Sequence, residues 1–103
     1  MWLSVSATTR PPRPGERDGV DYRFLDEDGF AELRDRNGLL ESFRVFGHSY
    51  GTPRAPVEEH LRAGTDVVLE LDFQGALAVK ARYPEALLVF VRPPSREEQR
   101  RRL

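Results

Sequence analysis

The sequence predicts an α/β fold with a parallel sheet, and three neighbouring segments carry that prediction. Residues 67–71 and 86–91 are nearly continuous apolar runs, which is typical of strands covered on both faces. Residues 73–83, which lie between these runs, have the apolar spacing of a helix. A strand, a helix and a strand in this order predict parallel strands joined by a right-handed crossover.

The amino-terminal third predicts shorter elements. Residues 3–6 have the pattern of a strand, and residues 20–25 alternate as a second strand would. Asp26 is a suitable N-cap for a helix that should end at Asn37 and Gly38. These elements surround a stretch rich in proline and arginine.

The middle of the chain predicts a strand, a loop and a helix. Residues 39–46 form the strand, and residues 47–52 are predicted to be a loop. Thr52 followed by Pro53 has the chemistry of an N-cap and a first helical residue, and Gly64 should end this helix.

Composition excludes several classes of function. The 103 residues fit one domain with a modest core, and a net charge of −1 gives no reason to expect a nucleic acid or an acidic membrane as partner. No apolar run approaches the roughly 20 residues of a membrane span, and the start lacks a signal-peptide pattern. The absence of cysteine excludes disulfides and thiolate zinc sites, and two histidines are too few for a metal cluster. We therefore expect a cytoplasmic protein.

The proline-rich stretch presents two arginines in a defined geometry. Polyproline II has three residues per turn, so Arg10 and Arg13 should lie on one face, about 9 Å apart. Arginine donates bidentate hydrogen bonds that suit a phosphate or a carboxylate. The stretch is therefore a candidate anion clamp, although a solvated linker and a PxxP ligand of SH3 domains are alternative interpretations.

Glu41 lies in a predicted strand with an apolar context. A carboxylate there could accept both adjacent N–H groups of guanine, whereas adenine presents an acceptor in the same place. The alternative is a solvent-facing residue on an edge strand. Tyr22 and Tyr50 follow glycine-containing turns and, taken singly, are packing aromatics with exposed hydroxyls.

Glu70 and Asp72 are one residue apart near the end of an apolar strand. Their side chains should share a face at the carboxyl end of the sheet, where nucleotides and metals bind in open α/β sheets. Many buried strands end in an acidic residue, so this pattern alone is not specific.

The order of these features is more specific than any one of them. The informative segments are 4–16 (SVSATTRPPRPGE), 19–24 (GVDYRF), 40–41 (LE), 45–52 (VFGHSYGT), 69–76 (LELDFQGA) and 93–95 (PPS). In this order they resemble the guanylate kinase family, and the resemblance is collinear over essentially all 103 residues.

The resemblance implies a fold and an activity. The fold would be part of a P-loop NTPase-type parallel sheet core, with strands at about 3–6, 67–71 and 86–91. A mixed α+β GMP-binding subdomain at about 7–65 would be inserted in it, and 66–103 would form part of the core. The activity would be transfer of the γ-phosphoryl group of ATP to GMP, with Mg²⁺ accompanying ATP and no cofactor needed to bind GMP.

The resemblance also implies roles for individual residues. The GMP phosphate would be held by two arginines and two tyrosines: Arg10, Arg13, Tyr22 and Tyr50. The guanine would be read by Ser6, Glu41 and Thr52. Two acidic residues, Glu70 and Asp72, would lie near the nucleotides and magnesium, and the catalytic residues would be Arg10 and Asp72; no direct metal ligand is assigned.

The sequence departs from the family pattern at single positions and by the absence of whole parts. Ser42 and Phe43 replace the aromatic residue and small residue that usually follow the glutamate. His48 replaces the asparagine that usually follows Gly47, which affects the geometry of that segment. The sequence also contains no P-loop motif of the form GxxxxGK[ST] and no arginine-bearing lid, so we expect a fragment that binds ATP only if those parts are supplied. The isolated chain is expected to be inactive as a kinase. The alternatives are a non-catalytic module that binds GMP or a phosphopeptide, and an incomplete gene product.

Overall fold

A computed structural model describes residues 1–71 and 73–87, apart from the side chain of Phe73. In chain order its elements are β1 (Trp2–Leu3), β2 (Ala7–Thr8), β3 (Arg23–Phe24), α1 (Glu27–Asp35), β4 (Leu39–Val45), β5 (His48–Pro53), α2 (Arg54–Arg62), β6 (Val67–Val68) and α3 (Phe73–Arg82). Within these described residues, no helix is both long and apolar enough to cross a membrane.

The strands form two sheets. The smaller contains β1 and β6, which pair in parallel, as the predicted α/β class requires. The larger has the order β3-β2-β5-β4, and β2 pairs in parallel with β3 but antiparallel with β5. The α/β class predicted from the sequence is therefore confirmed.

The core strands are shorter than predicted. The strand expected at 3–6 is limited to β1, because by Ala7 the chain has already joined the larger sheet. Of the strand expected at 67–71, only Val67–Val68 pairs with β1. Most of the strand expected at 86–91 lies outside the described residues.

The first helix follows the prediction closely. The Asp26 side chain accepts a hydrogen bond from the Gly29 backbone N–H at 2.6 Å and caps α1. The helix is followed by Asn37, whose φ of 62° is in the left-handed region that asparagine tolerates. Phe30 of this helix is buried with Ala7 and Leu39 in one hydrophobic cluster.

Residues 48–52 belong to β5 and only Gly47 lies in a turn, so the prediction of a loop over 47–52 is wrong. Phe46 and Gly47 both have positive φ, 50° and 80°, as a two-residue type I′ turn requires. This turn places Val45 opposite His48 and joins β4 directly to β5. Phenylalanine rarely adopts this backbone conformation, which is why the residue pattern did not indicate a two-residue turn.

The start of the second helix also differs from the prediction. Thr52 belongs to β5, Pro53 takes the N-cap position, and no side chain caps the helix. The Thr52 hydroxyl donates instead to the Glu41 carboxylate. On α2, Val57 is buried, whereas nearly half of Leu61 is exposed.

Strand β4 joins two hydrophobic clusters. Leu39 packs in the first cluster with α1, and Leu40 faces a second cluster that includes Val57 and Val79. Because successive side chains of a strand point to opposite faces, one strand serves both clusters. The Asn37 side-chain oxygen adds a polar connection, since it accepts from Arg54 at 3.1 Å and from Arg82 of α3 at 3.3 Å.

We predict that Phe46→Asn stabilises the chain by about 1 kcal/mol, because asparagine adopts positive φ at lower cost than phenylalanine. The Phe46 side chain is 96% exposed, so its removal loses no packing. Urea unfolding followed by circular dichroism measures the change. Phe46→Ala is the matched control, since it removes the ring and keeps the strained backbone; an equal gain in both variants would contradict this explanation.

Candidate functional site

The larger sheet aligns several polar side chains on one face. In β5, Tyr50 and Thr52 point the same way because they are two residues apart. Ser42 pairs with Gly51 in the neighbouring strand, which brings Glu41 beside Thr52. The Thr52 hydroxyl donates to Glu41 Oε1 at 2.5 Å, and Thr52 is fully buried.

Glu41 is a buried carboxylate. It is only 8% exposed, so the alternative of a solvent-facing edge residue is wrong. Ser6 lies on the other side of Thr52 from Glu41, because the antiparallel pairing of Ala7 with Gly51 places Ser6 next to Thr52. Ser6, Thr52 and Glu41 thus form a row of polar residues across the sheet. The three residues predicted to read guanine therefore lie on three adjacent strands or strand ends.

Aromatic side chains adjoin this row. The ring of Tyr50 stacks on Phe43 at 5.6 Å between centroids and meets the Tyr22 ring edge-on at 6.2 Å. Tyr22 also contacts Phe24 at 5.8 Å. Two of the predicted phosphate-binding residues, Tyr22 and Tyr50, are therefore brought together by the sheet.

Arg10 packs against these aromatic rings. Its Cζ atom lies 5.1 Å from the centroid of Tyr22 and 5.9 Å from that of Phe24, distances at which a cation is attracted to a ring. The residue is 8% exposed, although its hydrophilic head would normally remain in water. A solvated linker would not bury its first arginine in this way.

Glu16 occupies one end of the Arg10 guanidinium. Arg10 Nη1 donates to Glu16 Oε1 at 2.8 Å and Nη2 donates to Oε2 at 3.0 Å, while Nη1 also donates to the Pro11 carbonyl at 3.0 Å. The Arg13 backbone N–H donates to Glu16 Oε1 at 2.7 Å. The carboxylate thus connects the two arginines of the candidate clamp.

These contacts shift the acid–base properties of both partners. The hydrogen bond from Arg10 is the main reason why the pKa of Glu16 falls from its usual 4.5 to about 2, and the Arg13 backbone lowers it further. The hydrogen bond to Glu16 also raises the pKa of Arg10, against the opposing effect of burial, and hydrogen bonds with Tyr50 and Tyr22 contribute. Both groups are therefore charged at neutral pH.

Two threonines fasten the clamp segment to β5. The Thr8 hydroxyl donates to the Ser49 carbonyl at 2.9 Å and accepts from the Arg10 backbone N–H at 3.1 Å. The Thr9 hydroxyl accepts from the Ser49 N–H at 2.9 Å. The sequence-based site included neither threonine, nor Glu16; the available signal was the carboxylate just after the Gly15 turn, within reach of both arginines.

The structure does not bring all of the predicted site residues together. Arg13 is exposed, and only its backbone is held by Glu16. Glu70 is exposed after β6, and Asp72 lies outside the described residues. In the part of the chain that is described, no group of three or more histidine, aspartate or glutamate residues could hold a metal ion.

Comparison with known proteins relates the whole chain to one family. A family model for guanylate kinase matches residues 1–103. The guanylate kinase of Bordetella pertussis is 58% identical over 101 residues, which cover 98% of this chain and 47% of the relative. A guanylate kinase of Thermus thermophilus is 56% identical and matches all of this chain and 47% of its own length.

A solved structure agrees with this relationship. The crystal structure of guanylate kinase from Anaplasma phagocytophilum matches with a TM-score of 0.87 and 40% identity, covering 97% of this chain and 54% of that one. The chain spans about half the length of the curated relatives that it matches. The full-length family match and the structural similarity together show that this chain belongs to the guanylate kinase family.

Proposed function

We propose that this chain is the GMP-binding half of a guanylate kinase, an enzyme that converts ATP and GMP to ADP and GDP. The observation that carries the proposal is the arrangement of two chemically different sites on one sheet. The buried carboxylate of Glu41 lies on β4, and the buried guanidinium of Arg10 lies two residues after β2. Both strands pair with β5, so the sheet holds the two groups as the base and the phosphate of one nucleotide would require.

Glu41 is suited to select guanine. Its carboxylate accepts hydrogen bonds and would pair with the two adjacent N–H donors of the guanine edge. Adenine would present an acceptor at this position. Two acceptors would then face each other and the buried carboxylate would lack a donor from the base, so AMP should bind much more weakly than GMP. Thr52 orients the carboxylate through its hydroxyl, and with Ser6 it would provide contacts near the guanine O6.

Arg10 and the two tyrosines are suited to hold the phosphate. The guanidinium is packed against Tyr22, and the pKa of Arg10 is raised chiefly by its hydrogen bond to Glu16. Arg13 is exposed in the same segment and would add a second positive charge. Charge-assisted hydrogen bonds of this kind are the strongest that proteins form with phosphate.

The catalytic step would depend on more than these residues. Arg10 and Asp72 are the proposed catalytic residues, with Glu70 in the same neighbourhood, and Mg²⁺ would neutralise charge on the phosphates of bound ATP. The described residues do not form a magnesium site by themselves, since Glu70 belongs to no acidic cluster among them and is exposed. We assign 7–65 to GMP binding, 66–103 to the nucleotide-binding core, and the cytoplasm as the location.

We predict that Arg10→Ala and Arg13→Ala each weaken GMP binding about tenfold to a hundredfold, because each removes a charged hydrogen-bond donor. Guanosine, which lacks the phosphate, should bind almost unchanged. Isothermal titration calorimetry with both ligands provides the measurement, and Arg17→Ala is the control for loss of a neighbouring positive charge. Tighter binding of a phosphoserine peptide than of GMP would instead support a phosphopeptide-binding module.

We predict that Glu41→Gln weakens GMP binding about thirtyfold while narrowing the preference for GMP over AMP. The glutamine amide would offer a donor where guanine needs an acceptor. Competition titrations with GMP and AMP measure this preference. Glu59→Gln makes the same chemical change at an exposed position of α2; an unchanged preference in Glu41→Gln would contradict guanine recognition by this residue.

We predict that the 103-residue chain forms GDP from GMP and Mg-ATP many orders of magnitude more slowly than a longer relative. Phosphoryl transfer depends on positioning and electrostatic stabilisation of ATP, and the sequence contains no GxxxxGK[ST] motif to provide them. A coupled assay alongside the Thermus thermophilus enzyme tests this. Comparable turnover by the two proteins would contradict the expected inactivity.

A further inference from the structure

We propose that Glu16 is a positioning residue that fixes Arg10 so that only one edge of its guanidinium can receive the phosphate of GMP. This inference rests on the proposed function, because it concerns how the same phosphate site is built. Glu16 does not itself bind phosphate, since both groups are anionic. It acts through Arg10, and its effect is to set which hydrogens of that side chain remain available.

The hydrogen-bond inventory of Arg10 identifies the available edge. A guanidinium has five N–H groups in a rigid plane. Pro11 and Glu16 use three of them, because Nη1 donates to both residues and Nη2 donates once to Glu16. The remaining two belong to Nε and Nη2, which lie side by side along the lateral edge of the plane. This edge is a bidentate donor for one oxyanion.

The surroundings of Arg10 are consistent with this edge as the binding position. Its guanidinium is held within 5.1 Å of the Tyr22 ring, and hydrogen bonds with the hydroxyls of Tyr50 and Tyr22 contribute to its raised pKa. Because Pro11 and Glu16 take up the other three N–H groups, the tyrosine hydroxyls neighbour the lateral edge, and an arriving phosphate would replace them as the acceptor of Nε and Nη2. A phosphate placed there would contact Arg10 and both tyrosines together.

Glu16 also ties Arg13 to the same geometry. The Arg13 backbone N–H donates to the oxygen that accepts from Arg10, so one carboxylate fixes the distance between the two residues. An arginine side chain loses considerable conformational entropy when it is ordered by a ligand. With Glu16 in place, the Arg10 side chain and the Arg13 backbone are ordered before GMP arrives, so less binding free energy is lost.

Calorimetry on the 103-residue chain tests this role. Glu16→Gln replaces one accepting oxygen by an N–H₂ donor that opposes Arg10 Nη2, and we expect GMP binding to weaken about tenfold or more while guanosine changes by less than about twofold. Glu32→Gln on α1 is the matched control. An unchanged affinity for GMP, or equal losses for both ligands, would overturn the positioning role.

A double-mutant cycle separates action through Arg10 from a general structural effect. In the Arg10→Ala background, Glu16→Gln should cause no further loss of GMP affinity, because the residue that it positions is gone. Additive losses would overturn the inference.

The wild-type measurement separates the two proposals. If the wild-type chain bound no GMP, both the proposed function and the role of Glu16 would fail. If the wild-type chain bound GMP and Glu16→Gln bound it equally well, only the role of Glu16 would fail.

Spectroscopy of the ligand-free chain provides a readout that does not depend on GMP affinity. In ¹⁵N NMR spectra, the Arg10 Nη hydrogens should exchange slowly by rotation in the wild type and rapidly in Glu16→Gln, with the signals assigned from their absence in Arg10→Lys. Adding GMP should shift the Arg10 Nε–H signal. A shift confined to the Nη signals would place the phosphate at the end of the group and overturn the lateral-edge assignment.

The pH dependence of the free energy of unfolding provides a further test of the ion pair between Glu16 and Arg10. Because folding lowers the pKa of Glu16 from 4.5 to about 2, the folded state binds this proton less readily, and the stabilisation is complete above pH 4.5 and lost as the pH falls towards 2. Urea unfolding at several pH values should show less loss over this range in Glu16→Gln than in the wild type. Equal losses would contradict the native pairing of Glu16.

If Glu16→Gln does not fold, Glu16→Asp serves in its place. It keeps the charge but shortens the side chain, so it should also weaken GMP binding.

Discussion

The antiparallel pairing of β4 with β5 is the constraint on which the candidate site depends. It brings Glu41 to Thr52 at one position and Phe43 to Tyr50 two residues further along. The other edge of β5 receives the hydroxyls of Thr8 and Thr9, which fasten the segment leading to Arg10. The carboxylate of Glu41 and the segment that carries Arg10 are therefore both held by one strand, and their separation is fixed by its register.

The same hairpin also anchors the site to the rest of the molecule. Leu39 and Leu40 project from opposite faces of β4 into two hydrophobic clusters, so sliding this strand would disrupt both of them. The Asn37 side-chain oxygen accepts from Arg54 of α2 and from Arg82 of α3, which connects the residues just before β4 to both helices. A displacement of α3 would consequently move the start of β4, the strand that carries Glu41.

Local signals predicted those elements whose ends are determined by local chemistry. Asp26 capped α1 as expected because its side chain reaches only the next turn of the chain. The hairpin was missed because Phe46 adopts a left-handed conformation that its own chemistry disfavours, which only the pairing of β4 with β5 can impose. Thr52 has the chemistry of an N-cap, yet its hydroxyl is used by a carboxylate eleven residues earlier. The residue types of the site were recognisable, whereas their mutual positions depended on long-range pairing.

Glu16 illustrates why the proposed phosphate site would contain a carboxylate. The negative charge of Glu16 offsets the positive charge of Arg10, so the pair has little long-range electrostatic attraction for anions in general. What remains is short-range and directional, namely the lateral edge of Arg10, the neighbouring tyrosine hydroxyls and the exposed charge of Arg13. A site built in this way discriminates by the position of an oxyanion rather than by its charge alone. For a ligand whose base must simultaneously reach Glu41, the geometry of the phosphate contact is the property that the fold needs to control.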